Sequence, residues 1–144
     1  MDRKPKSDSY IKPMPRAQFL RLMREFKDIG GKYICDEHSE AHLSKSGAEA
    51  TALDGYTILF RRKPGRAAVY EELFHTKQFR DGKIDGTLKN RLECEIEAQQ
   101  YLLDNVSELG LTEPEIVQTQ IALETYRREL SKMKGADSRQ YVMC

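Results

Sequence analysis

The sequence predicts an α+β fold, a small antiparallel or mixed sheet packed on a helical core. Three observations carry this expectation. Phe19, Leu22, Met23, Phe26 and Ile29 recur at helical spacing. Tyr56-Thr-Ile-Leu-Phe-Arg alternates with a period of two, which places Tyr56, Ile58 and Phe60 on one face of a strand. Beyond Arg66 the apolar pattern is helical almost to the end of the chain, interrupted by glycine-containing breaks. A helix, then short strands, then three helices is an α+β order.

Taken in order, residues 1–14 are polar, basic and dotted with Pro5 and Pro13, so they are expected to form a flexible basic arm or the end of a linker. Pro15 suits the first turn of a helix that Gly30-Gly31 stops. Lys32-Tyr-Ile-Cys reads as a short strand, and residues 36–47 as a polar helical turn or short helix ending at Gly47. Asp54-Gly55 and Lys63-Pro64-Gly65 are turns on either side of the Tyr56–Arg61 strand. From Arg66 to about Phe79 the helical pattern is apolar on more than one side, so this helix should be central. Asp81-Gly82 and Asp85-Gly86 form a loop, and a helix follows from about Leu88 to Val106. Thr112 is expected to cap the last helix, with Pro114 and Glu115 in its first turn. That helix should run to about Met133, closed by Gly135. The domain is then 15–134, with 135–144 a frayed tail.

Composition narrows the function classes. The 24 basic and 23 acidic residues leave a net charge of +1, against the basic excess of a dedicated nucleic-acid binder. No stretch approaches the roughly 18 apolar residues of a membrane span. Met-Asp-Arg-Lys-Pro-Lys-Ser has no apolar run behind it, so no secretory signal is expected. The chain is expected to be cytoplasmic as made, unless another segment or machine delivers it. Cys35, Cys94 and Cys144 are odd in number and widely spaced, which argues against a disulfide framework and a cysteine-rich zinc site.

The chemistry-bearing stretch is Tyr70-Glu-Glu-Leu-Phe-His75. Glu71 and His75 are four apart and leave one face of a helix, where they can grip one metal ion. Glu72 lies one step round. In the His-Glu-x-x-His arrangement of metalloproteases that middle glutamate is the general base for metal-activated water; here Glu71 stands at the first histidine. Two carboxylates and an imidazole on a buried helix are costly unless paired or metal-bound. A salt-bridge cluster with Arg66 or Arg91 is the competing expectation. On the next helix, Glu95 and Gln99 interrupt the stripe Leu88, Leu92, Leu102, Val106, whereas Glu93, Glu97 and Asp104 lie off it. Glu95 is therefore preferred to Glu97 as third ligand. Glu71, His75 and Glu95 with an open fourth position make a zinc-type site, for which manganese or iron is conceivable. His38 and His42, also four apart, sit in a very polar stretch that reads as an exposed face.

Gly-Ala-Glu-Ala at 47–50, the strand at 56–61, Glu-Glu-Leu-Phe-His-Thr-Lys-Gln at 71–78, Glu-Ile-Glu-Ala-Gln at 95–99 and Gly-Leu-Thr-x-x-Glu from 110 form a set. It resembles the zincin-like metallopeptidase toxin domains at the C-terminal ends of bacterial polymorphic toxins, over about residues 18–131. The resemblance implies a zincin-like fold and a toxin that cleaves a protein or peptide substrate in a rival cell, with a cognate immunity protein as partner. It implies Glu71 and His75 on the metal-binding helix, Glu72 as base and Glu95 as the downstream ligand. Gln99 stands where related zincins carry an aspartate that supports a ligand from behind. The alternative expectation is a catalytically degenerate zincin-fold domain that binds protein without cleaving it.

Overall fold

The structure, a computed structural model, describes the backbone of residues 11–143 and side chains through Lys134. Helix α1 (Arg16–Asp28) buries Phe19, Met23 and Phe26, the stripe expected from their spacing. Pro15 occupies the N-cap position, one residue before the helix rather than inside its first turn. Strand β1 (Lys32–Ile34) follows, then α2 (Glu37–Ser46). The start of α2 is a capping box: the Asp36 carboxylate accepts from the His38 and Ser39 N–H groups, and Ser39 Oγ accepts from the Asp36 N–H. Gly47 ends it in the left-handed conformation (φ 76°), which a side chain would disfavour.

The sheet has three strands in the order β1-β3-β2, so β2 (Ala50–Asp54) is an edge and β3 (Thr57–Phe60) the centre. β1 runs parallel to β3 and β2 antiparallel to it, a mixed sheet. β2 was not expected. Its sequence, Ala-Thr-Ala-Leu-Asp, is poor in strand formers, and it is held by pairing Ala50, Thr51 and Ala52 with Phe60, Leu59 and Ile58. Ile58 and Phe60 point into the core as their alternation predicts. Tyr56 does not join them. It sits in the β2–β3 turn, 48% exposed, beneath the Arg80 guanidinium, whose N–H also donates to the Gly55 carbonyl at 2.7 Å.

Helix α3 (Arg66–Arg80) lies between two apolar clusters. Val69 joins Met14, Phe19, Met23, Phe26, Ala50, Ile58 and Phe60 in the core between α1, the sheet and α3. Ala67 and Tyr70 face the second cluster, built on Leu102, Leu109 and Leu111. The helix is thus central, and Lys77 is its one exposed residue. Helix α4 (Leu88–Asp104) packs on α3 and, more extensively, on α6 (Glu113–Met143), with the short α5 (Val106–Leu109) between them. Asn105 separates α4 from α5, two residues earlier than expected, by donating its side-chain amide to the Tyr101 carbonyl.

Two boundaries differ from the sequence expectation. Residues 1–10 of the expected arm lie outside the described residues, but Pro13 and Met14 belong to the domain. Pro13 bridges Gly65, and Met14 is a core residue whose N–H donates to the Pro64 carbonyl at 2.8 Å. At the other end, the α6 backbone continues through Gly135 to Met143. A single glycine costs a helix only about 1 kcal/mol relative to alanine, and no proline follows it.

Glu115 joins α6 to α3. Its carboxylate accepts from the Ala67 N–H at 2.8 Å and from the Thr112 N–H at 3.0 Å, and the side chain is 1% exposed. Replacing it with alanine leaves half-buried backbone donors unpaired at both helix starts. Glu115→Ala should cost roughly 2–3 kcal/mol in urea unfolding; a loss under about 1 kcal/mol would show that this junction does not hold the helices together.

Candidate metal centre

The α3 face turned towards α4 and β2 carries Glu71, Glu72 and His75. One potential ligand atom from each lies within 4.8 Å of the others, and this is the metal-capable group found among the described residues. Their i, i+1, i+4 spacing on a helix accounts for the convergence. Glu95 arrives from α4, its Oε1 at 3.1 Å from His75 Nε2, while Glu71 Oε2 is 3.6 Å from the same nitrogen. Glu97 is elsewhere: it accepts from Gln78 Nε2 at 2.8 Å and Lys83 Nζ at 3.1 Å. Of the two α4 carboxylates, Glu95 is the one beside His75.

Gln78 is the site residue that sequence reasoning left without a role. It is 2% exposed and one turn beyond His75. Its side-chain NH₂ is committed to two acceptors, the Cys94 carbonyl at 3.0 Å and Glu97. The amide oxygen therefore faces His75 Nδ1, at 2.7 Å, and Nδ1 must carry the proton and donate it. This leaves Nε2 as the nitrogen available to a metal, the arrangement in which a partner behind the ring fixes its tautomer. The one signal in the sequence is a glutamine three residues after the histidine, on the same face.

Glu72 Oε1 accepts the Ala52 N–H of β2 at 2.8 Å, so the sheet edge orients this carboxyl and leaves its second oxygen to the cavity. Burial, and then the neighbouring Glu71, push the Glu72 pKa up to about 8. Burial acts on His75 in the opposite sense and lowers its pKa, but Glu71 and Glu95 outweigh it and raise the value to about 11. Without a metal, then, the cluster holds an imidazolium between carboxylates.

Glu71, Glu72 and His75 could together hold a metal ion; Glu95 stands 3.1 Å from His75 Nε2 but outside that mutually close group, so the structure sets Glu72 rather than Glu95 beside the two expected ligands of α3. The group opens into a cavity of about 660 Å³ bounded by β2, α3, α4 and α6. Tyr126 of α6 lines it too; burial, followed by Glu95 and Glu71, pushes that phenol up to about 12, so it stays a hydrogen-bond donor.

Other expected partners are not here. Arg66 turns to Gln18, its Nε 3.4 Å from the amide oxygen, and Arg91 forms no salt bridge among the described residues although it lines the cavity. The arginine-paired version of the cluster is therefore not the arrangement found. Gln99 is 3% exposed and lines the same cavity, but it makes no hydrogen bond to Glu71, His75 or Glu95. His38 and His42 are exposed on α2, as their surroundings suggest. Cys35 and Cys94 are free thiols. No helix among the described residues is long and apolar enough to cross a membrane. No family model, curated protein or solved structure matches the chain.

Both raised values have one consequence for the metal-free protein. The folded state holds a proton on Glu72 from pH 4.5 to about 8 and on His75 from pH 6.5 to about 11, where the unfolded chain has released it. Stability must then fall as pH rises through these windows, and most steeply where they overlap, between 6.5 and 8. Urea unfolding of chelator-treated protein should give a lower stability at pH 8 than at pH 6, with a shallower fall in Glu72→Gln. A flat or rising profile would contradict the imidazolium–carboxylate cluster.

Proposed function

We propose that this chain is a zincin-like metal-dependent peptidase domain. The carrying observation is the convergence on His75 Nε2 of two carboxylates from different helices, with Glu72 beside them and Gln78 behind the ring. Glu71, His75 and Glu95 would hold the ion, with zinc the first candidate and manganese or iron compatible with the oxygen-rich donor set. When bound, the ion lowers the pKa of water and polarises a carbonyl oxygen.

The chain's own residues supply the rest. Glu72, oriented by the Ala52 N–H, keeps one oxygen free to take a proton as general base and return it to the leaving amine. A divalent cation beside it would bring it back from the protonated to the carboxylate form at neutral pH. The cavity runs along residues 48–52, and β2 is the edge of its sheet, where an extended peptide can pair with the backbone. This favours a peptide substrate over a small metabolite. From the family resemblance we infer the biological role, a bacterial effector neutralised by an immunity protein.

A second reading has its own observation. His75 is fully partnered without an ion, by Glu71, Glu95 and Gln78, so the cluster can stand as a self-satisfied polar network in a non-enzymatic protein-binding domain. Metal content separates the two. The peptidase reading expects about one divalent ion per chain in protein purified without chelator, and a rise in melting temperature when zinc or manganese is added to stripped protein. Absence of both would leave the binding domain.

The residue roles have separate outcomes. Glu72→Gln should retain the metal and lose at least about 100-fold in cleavage rate. Gln78→Leu should weaken zinc binding by roughly 10–100-fold in a competition titration, because Nδ1 loses its acceptor. Full activity in the first variant, or unchanged affinity in the second, would remove that residue from its assigned role.

A further inference from the structure

Gln99 has a buried amide and no use for it in the metal cluster. The family resemblance implies a place for it behind a ligand. In the structure its side chain is 3% exposed, lines the cavity, and has no hydrogen-bond partner among the described residues. A buried amide with nothing to bond is costly, and native folds leave few such groups without a purpose.

Its position supplies one. Gln99 follows Glu95 by four residues, about 6 Å along the same face of α4. α3 runs antiparallel to α4 here, since Gln78 meets Cys94 while Tyr70 and Ala67 pack near Leu102. The α3 residues one turn before Glu71 are Ala67 and Ala68, and α6 contributes Thr119 and Ala122 to the same cavity. Small side chains from both neighbouring helices line the cavity that Gln99 also lines, and they leave room there for a recess beside the metal cluster.

We propose that this recess takes a substrate side chain ending in a primary amide, asparagine or glutamine, recognised by Gln99. A primary amide is the complement of another: each gives an N–H and accepts one at its oxygen. The polar groups of α6 nearest the alanines are already engaged. The Glu115 carboxylate is taken by the Ala67 and Thr112 N–H groups, and the Thr119 hydroxyl donates to the Glu115 carbonyl at 2.7 Å. A site built to hydrogen-bond one group rejects analogues lacking it. Naming the ligand as a substrate rests on the peptidase reading; the amide recognition does not.

Two experiments keep these apart. In the first, the Gln99 side-chain NH₂ signal of ¹⁵N-labelled full-length protein, identified by its absence in Gln99→Met, is followed during titration with Nα-acetyl-glutamine methylamide. The norleucine, glutamate and lysine counterparts serve as controls. A saturable shift is expected with the glutamine compound, at least about tenfold weaker with the others. No saturable shift, or one as strong with norleucine, glutamate or lysine, overturns the proposal. In the second, zinc-loaded protein is incubated with a mixed-sequence peptide library and the cut sites are read by mass spectrometry. Glutamine or asparagine should be enriched at one position next to the cut, and Gln99→Leu should move that preference to leucine or methionine. Cleavage indifferent to amides overturns the recess and leaves the peptidase standing. A selective shift with no peptide cut upholds the recess and overturns the peptidase.

Discussion

His75 is the joint on which the site depends. One ring nitrogen is held by Gln78 on its own helix, and the other faces Glu95 on the next. Gln78 is in turn bonded to the Cys94 carbonyl of α4. The contact between α3 and α4 is thus polar where the chemistry lies and apolar further along, where Ala67 and Tyr70 pack near Leu102. A polar contact of this kind demands full satisfaction, because an unpaired group inside it costs more than the contact contributes. That requirement sets the orientation of the imidazole and the distance between the helices together.

The same chemistry recurs at the edges of the site. Four glutamates accept backbone N–H groups across element boundaries: Glu40 from Arg62, Glu49 from Gly65, Glu72 from Ala52 and Glu115 from Ala67. Bonds of this kind satisfy main-chain donors that would otherwise be left unpaired at these boundaries. They fasten the loop after β3, the start of α3 and the edge strand β2, and Glu49, Glu72 and Glu115 among them line the cavity. Glu72 therefore has a structural bond and a free oxygen at once, and a group held in this way can act as a base without needing to be positioned by substrate.

Much of the scaffold was legible. Helices α1, α3 and α4 follow from apolar spacing and the inward face of β3 from alternation, because burial imposes those periods on a chain. β2 was not legible, since its pairing with β3 overrides weak local preference. Tyr56 fits the alternating pattern yet belongs to the turn, where Arg80 covers it. Met14 carries no periodic signal, and only the packing of α1 against the sheet makes it core. Gln78 escaped because a glutamine on a charged helix looks like solvent-facing polarity until the helix beside it is known.

The pattern Glu71, Glu72, His75 needs only the geometry of one helix, so the sequence alone determined that these three side chains share a face. The interruption of the α4 stripe at Glu95 and Gln99 likewise announced two polar groups turned inward. What they meet there was settled by the packing of α3 against α4 and α6, which no local rule encodes. That packing brought Glu95 to His75 and sent Glu97 to Gln78 and Lys83. It also left Gln99 buried on the cavity wall with no hydrogen bond to Glu71, His75 or Glu95. Distances between helices depend on every side chain in the interface at once, and that is why the helix of Glu71, Glu72 and His75 could be read from its own spacing and its surroundings could not.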